Sequence, residues 1–88
     1  MRVGPPPDLE VVVEQGVVYL VPPDGRVARL NRRGSETWLR LADEGGDLDA
    51  AASALAVAWE RGVDEARASV GRFVEQLTDR GLLVEEPG

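Results

Sequence analysis

Residues Gly25 to Leu41 read GRVARLNRRGSETWLRL, a strand set directly against a helix with almost no connecting loop. Arg26 to Leu30 alternates polar and apolar side chains, the period-2 pattern of a strand buried on one face. Asn31 is placed to cap the helix that follows, and Trp38, Leu41 and Ala42 then fall on one side of it. A chain that passes so abruptly from sheet to helix needs partner strands before the junction and apolar helices after it. Both are present.

Upstream, Leu9 to Glu14 and Val17 to Val21 are β-rich runs joined by Gln15-Gly16, a tight hairpin connection. Pro22-Pro23-Asp24-Gly25 is a strong turn signal leading into the third run, Arg26 to Leu30. Short turns imply a meander, which puts the third strand at a sheet edge with one row of backbone groups unpaired. Arg26 and Arg29 read either as charges that disguise this edge or as flanks of an edge kept open for a partner strand. Downstream, the first helix runs from about Arg32 to Asp43 and stops at Gly45-Gly46. The second is capped by Asp47, buries Leu48, Ala52, Leu55 and Trp59, and ends with Gly62 as its C′ residue. Asp64 is expected to cap the third, whose buried stripe is Ala66, Val70, Phe73, Val74 and Leu77, closed by Gly81. Leu82, Leu83 and Val84 should fold back onto the core. The expected architecture is α+β: an N-terminal three-stranded antiparallel sheet followed by three helices. Residues 1–8, with three consecutive prolines, are expected to be a flexible tail, 9–84 a single domain, and 85–88 a frayed end.

Composition removes most chemistry. Cysteine, histidine and lysine are all absent, so there is no thiolate, no imidazole base or ligand, and no Schiff-base or P-loop lysine. Ser35 and Ser69 lack any such group to activate them. Asp47/Asp49 and Asp64/Glu65 sit at helix starts, where acids serve as caps and dipole partners. No catalytic residue, metal or cofactor is expected. Trp38, Trp59 and Phe73 read as core aromatics, being on apolar helix faces.

The net charge of −6 is uneven: residues 1–46 carry six arginines against seven acids, residues 47–88 four against nine. That balance argues against nucleic-acid binding, where phosphate neutralisation supplies most of the affinity. It reads either as a solvated face or as a field attracting a basic segment. No apolar run approaches the roughly 20 residues of a membrane helix, and MRVGPPPDLE has no signal-peptide core. A cytoplasmic, monomeric protein is expected. Gly71 stands inside the third helix at a cost of about 0.5–1 kcal/mol relative to alanine. It reads as a point of close packing or as the floor of a groove.

The Leu30-Asn31 strand end, Gly34 three positions on and Trp38 four later resemble the PqqD-like family. So do Gly45-Gly46, the Leu48/Leu55 helix, and a last helix with Val70, Phe73 and Leu77 ending in Gly81-Leu82-Leu83. These are the peptide-recognition domains of ribosomally made, modified peptides, and the junction looks most like those of lasso-peptide clusters. The resemblance spans roughly residues 17 to 84 and implies a fold of winged helix-turn-helix type. It also implies that the leader segment of a precursor peptide adds as a strand to the third strand, in a cleft against the third helix. Carried onto this chain, Arg26, Val27, Ala28, Arg29 and Leu30 would pair with the leader. Val63, Arg67, Val70, Gly71 and Val74 would line the groove. The implied partners are the precursor peptide and a leader peptidase of transglutaminase-like cysteine protease type. The rival readings are a winged-helix DNA-binding regulator and an accessory subunit of a radical-enzyme peptide-modification system.

Overall fold

The computed structural model describes residues 1–86. Eight elements follow in chain order: β1 (Arg2–Gly4), β2 (Glu10–Glu14), β3 (Val17–Val21), β4 (Ala28–Arg29), α1 (Arg32–Asp43), α2 (Leu48–Trp59), α3 (Val63–Asp79) and β5 (Val84–Glu86). The expected antiparallel meander is present as β2-β3-β4, and three helices follow it. Gln15 and Gly16 both take positive φ, 52° and 79°, the two-residue turn whose twist suits a hairpin. β3 is the central strand, and its Val18 and Leu20 are fully buried beneath the helices.

The third strand is shorter than its alternation suggests. Asp24 Oδ1 accepts the Arg26 amide at 2.9 Å, and the Gly25 carbonyl accepts the Val27 amide at 3.0 Å. The turn thus consumes the donors of the first two residues. Pairing is left to Leu20↔Ala28 and Tyr19↔Arg29, with the Leu30 amide reaching Val18 O at 2.9 Å.

The chain ends differ from expectation as well. Arg2–Gly4 is not a free tail, and Val84–Glu86 does not fray: the two pair antiparallel as a separate ribbon, Val3 opposite Glu85. Val3 is buried, and its amide donates to Gly46 O at 3.0 Å. Gly46, at φ +86°, lies so close to the Val3 backbone that a Cβ there would collide with the Val3 carbonyl. Pro87 and Gly88, also expected to fray, lie outside the described residues.

α1 begins and ends where its cap and glycines place it, with Asn31 Oδ1 accepting the Gly34 amide at 2.7 Å. The α2–α3 junction is different. Glu60, not a glycine, takes the left-handed conformation after α2 (φ 53°), and Gly62 rather than Asp64 occupies the cap position of α3. Asp64 and Glu65 sit in the first turn, where their charge still opposes the helix dipole. Trp38, Leu41, Ala51, Ala52, Leu55, Val70, Val74 and Leu77 meet β3 in one core, closed by Leu82 and Leu83. Ala42, expected on the buried side of α1, is exposed.

Candidate functional site: the open edge of β4 and its groove

In an antiparallel pair, residues alternate between exchanging hydrogen bonds with the partner and pointing those groups away. The Leu30→Val18 bond fixes the phase, so Ala28 and Leu30 face β3 while the amide and carbonyl of Arg29 face outward. Val27 and Arg29, two apart, share that outer side, but the Val27 amide is already spent on Gly25 O. The Arg29 amide is therefore the donor that β4 offers to an added strand. Side chains alternate across the sheet in parallel with this: Ala28 and Leu30 are buried, Val27 and Arg29 exposed.

Ser35 holds this edge in place. Its buried hydroxyl accepts the Val18 amide at 3.0 Å and donates to the Leu30 carbonyl at 3.3 Å. It stands where a second direct bond between Val18 and Leu30 would be. The first turn of α1 is thereby stitched into the end of the β3–β4 ladder, so strand edge and helix start form one unit.

Beside the edge lies an open groove of about 340 Å³, bounded by Arg29, Leu30 and the first turns of α1 on one side. The opposite wall is one flank of α3: Ser69, Arg72, Phe73, Gln76, Leu77 and Arg80, spaced i, i+3, i+4, i+7, i+8 and i+11. Gly34 is the point of closest approach, since a Cβ there would stand 3.3 Å from Phe73 Cε1 and 3.4 Å from Leu30 Cβ. Phe73 is half-buried and gives the groove an apolar floor. A second hollow of about 420 Å³ adjoins through Arg33, Ser69 and Arg72, and is walled by Trp59 and Arg61. Arg33 stacks over the Trp59 ring at 4.2 Å, while the indole N–H donates to Glu36 at 3.3 Å.

This places the expected groove residues unequally. Arg29 and Leu30 border the groove; the α3 residues expected to line it do not. Val70 and Val74 are buried in the core at 1% and 4% exposure, so neither offers a side chain to a ligand. Arg67 pairs with Asp49 at 3.3 Å and Asp64 at 3.5 Å on another flank. A Cβ at Gly71 would meet nothing within 4 Å, which removes close packing as its reason, and Gly71 does not line the groove beside β4. Val63, exposed at the start of α3, is not among the groove-lining residues. Sequence reasoning missed Ser69, Arg72, Gln76 and Arg80. Charge spacing gave no signal for them, since Arg72 has Glu75 three residues on just as Arg67 has Asp64 three residues before. Only in the structure is Arg67 paired while Arg72 and Arg80 have no carboxylate within 4.0 Å among the described residues.

Elsewhere an apolar hollow of about 490 Å³ lies between β1, Val11 of β2 and the Trp38–Ala42 face of α1. The outer edge of β2 is also unpaired in the sheet, with Val11, Val12 and Val13 exposed. No described helix is long and apolar enough to cross a membrane, and no described group of acids is placed to hold a metal.

A three-stranded meander ending in an open edge, buttressed by a helical triad, defines an α+β domain of winged helix-turn-helix type with a peptide-sized groove. The family model described as "Coenzyme PQQ synthesis protein D (PqqD)" matches residues 16–83, and the chain belongs to that family. The fold is shared with two solved structures. One is titled "Lasso peptide synthetase B1 complexed with the leader peptide" (20% identity, TM-score 0.83, covering 97% of this chain and all of that one). The other is "TbiB1 in Complex with the TbiA(beta) Leader Peptide" (18% identity, TM-score 0.82, both chains covered in full). No curated protein matches the sequence.

Proposed function

We propose that this protein captures the leader segment of a ribosomally made precursor peptide by adding it as a fourth strand along β4. It performs no chemistry itself and presents the peptide to a separate leader peptidase of transglutaminase-like cysteine protease type, in lasso-peptide maturation. The observation that carries this reading is the outward-facing Arg29 amide and carbonyl, bordering a groove whose far wall is α3. The two structures of the same fold, each titled as a complex with a leader peptide, support it. Membership of the PqqD family is consistent with a role as accessory to other enzymes.

The energetics are adequate. Main-chain bonds at Arg29 set the register, and apolar leader side chains settle against Leu30, Phe73 and Leu77. Each fully buried apolar anchor contributes about 1.5–3 kcal/mol before ordering costs. Two or three anchors supply about 3–9 kcal/mol before those costs, so the main-chain bonds at Arg29 must contribute as well for binding to reach the roughly 8 kcal/mol of micromolar affinity.

The test is calorimetric titration of the precursor peptide encoded beside the gene into Arg29→Pro and Arg29→Ala proteins. Proline removes the outward donor without breaking a bond to β3, so binding should be lost while circular dichroism stays native. Alanine keeps the donor and should retain binding. Val13→Pro removes the equivalent outward donor on β2 and should bind like the parent. Loss of binding in Val13→Pro with retention in Arg29→Pro would move the site to the other edge.

A further inference from the structure

The charge on the groove opposes that of the molecule. The chain carries 16 acids against 10 arginines, yet the groove beside β4 is lined by Arg29, Arg33, Arg72 and Arg80 and by no carboxylate. Among the described residues none of these four has an acidic partner within 4.0 Å, as is also true of Arg2 and Arg26, whereas Arg32, Arg40, Arg61 and Arg67 all have one. Two lie along one α3 flank, eight residues apart, and two stand on the β4–α1 side of the cleft. Arg33 is further fixed by its stack on Trp59. A protein with this excess of acids could neutralise such a cluster from within; six of its acids pair with arginines elsewhere among the described residues, and none lines this groove.

We infer that the segment bound in this groove is acidic, with carboxylates interspersed among apolar residues along the added strand. The inference rests on strand addition at β4 and specifies its substrate class. In a strand, alternate side chains share a face. The set facing the helices would reach Leu30, Phe73 and Leu77 and bring Asp or Glu to Arg33, Arg72 and Arg80 on the same side, while the other set would pass Arg29 on the outer face of the sheet. Arginine suits this role because its planar fork accepts a carboxylate in a two-point contact. The pairs are exposed, so each changes affinity by a factor of about 1.5–5, and salt weakens them. Their larger effect is selection, because a basic segment would meet four uncompensated cations at the site. Of the two readings of the acidic half, a solvated face or a field attracting a basic segment, this sets aside the second: the long-range field is negative, but the contact surface is positive. A peptide is favoured over nucleic acid because the groove borders a strand edge and the rest of the molecule repels phosphate.

A displayed library of random twelve-residue peptides, selected against the full-length protein at about 0.1 M salt, separates the possibilities. The expected result is an Asp and Glu content at least twofold above the input pool, together with apolar residues. That enrichment should disappear against the Arg72→Gln/Arg80→Gln double variant and persist against Arg40→Gln, which lies on α1 away from the groove. Enrichment of Lys and Arg, or no charge preference in a pool that Arg29→Pro fails to bind, would overturn the inference while leaving strand addition intact. A selected pool that binds Arg29→Pro as well as the parent, or the absence of any selected pool, would overturn strand addition itself. Displacement of the selected peptides by equimolar 20-base-pair duplex DNA would overturn the inference in favour of a nucleic-acid site.

Discussion

Ser35→Ala is expected to destabilise the domain far beyond the usual effect of losing one hydroxyl. Ser35 is 1% exposed, and its oxygen serves both the Val18 amide at 3.0 Å and the Leu30 carbonyl at 3.3 Å. Alanine leaves the Val18 amide stranded at a fully buried position, which costs about 1–3 kcal/mol. The Leu30 carbonyl loses a longer bond and adds less, so the total is about 2–3 kcal/mol. For a domain of this size, each kcal/mol moves Tm by about 4–8 °C, giving a fall of roughly 8–24 °C. Ser69→Ala, half-buried on the groove wall, is the matched control and should stay within about 0.5 kcal/mol. Urea unfolding followed by circular dichroism reads both, with unchanged m values expected. Hydrogen exchange should further show the Leu30 amide losing protection before those of α2, because the relay holds the end of the β3–β4 ladder. A Ser35→Ala cost below about 0.5 kcal/mol would mean that Val18 and Leu30 close their ladder directly, and the relay would be refuted.

Two further outcomes follow from helix-level detail. Gly71→Ala should stabilise by about 0.5–1 kcal/mol in thermal melts, because the helix gains propensity and the new methyl meets nothing within 4 Å; a loss of stability would restore a packing role for Gly71. The Ala50 amide bond, aided by the Asp49 amide and Arg2 and opposed by some desolvation, holds the Asp47 carboxyl below its ordinary 3.8. A carboxyl lowered by folding stabilises above its unfolded value and loses that contribution as pH falls through the folded one. The advantage of the parent over Asp47→Asn should therefore shrink on acidification below about pH 4 and stay flat above about pH 5; a gap that is constant across both ranges would contradict it.

How much was legible depended on whether the signal was local. α1 could be bounded from sequence because Asn31 and Gly45-Gly46 act within one turn of their own helix, and the meander because Gln15-Gly16 and Pro22–Gly25 are self-contained turns. The β1–β5 ribbon was not legible: three-residue strands more than 80 positions apart leave no periodicity, and Pro5-Pro6-Pro7 reads as a break. The shortening of β4 required knowing that the Asp24 side chain would take the Arg26 amide. The groove wall was misassigned for a geometric reason. Helical spacing identifies the buried stripe of α3 but not which of its flanks turns toward β4. Phe73, counted as core, straddles stripe and flank, and it marks the correct side. The sequence reading takes one of Val27 and Arg29 to turn its amide outward and the other inward. In the structure the two, being two residues apart, share the outer side, and they differ only in that the Val27 amide is taken by Gly25 O.

The ribbon between β1 and β5 also settles how this domain can be joined to others. Arg2 and Glu86 are register partners, so the two described ends of the polypeptide leave the fold side by side. Val3 ties that exit to the Gly46 carbonyl at the corner between α1 and α2. A module appended at either end therefore hangs from the same anchored point, and exchanging the order of a fusion leaves the groove oriented alike toward its neighbour. For the same reason a linker of a few residues suffices to close the chain into a ring, with new ends opened at the Pro22–Gly25 turn.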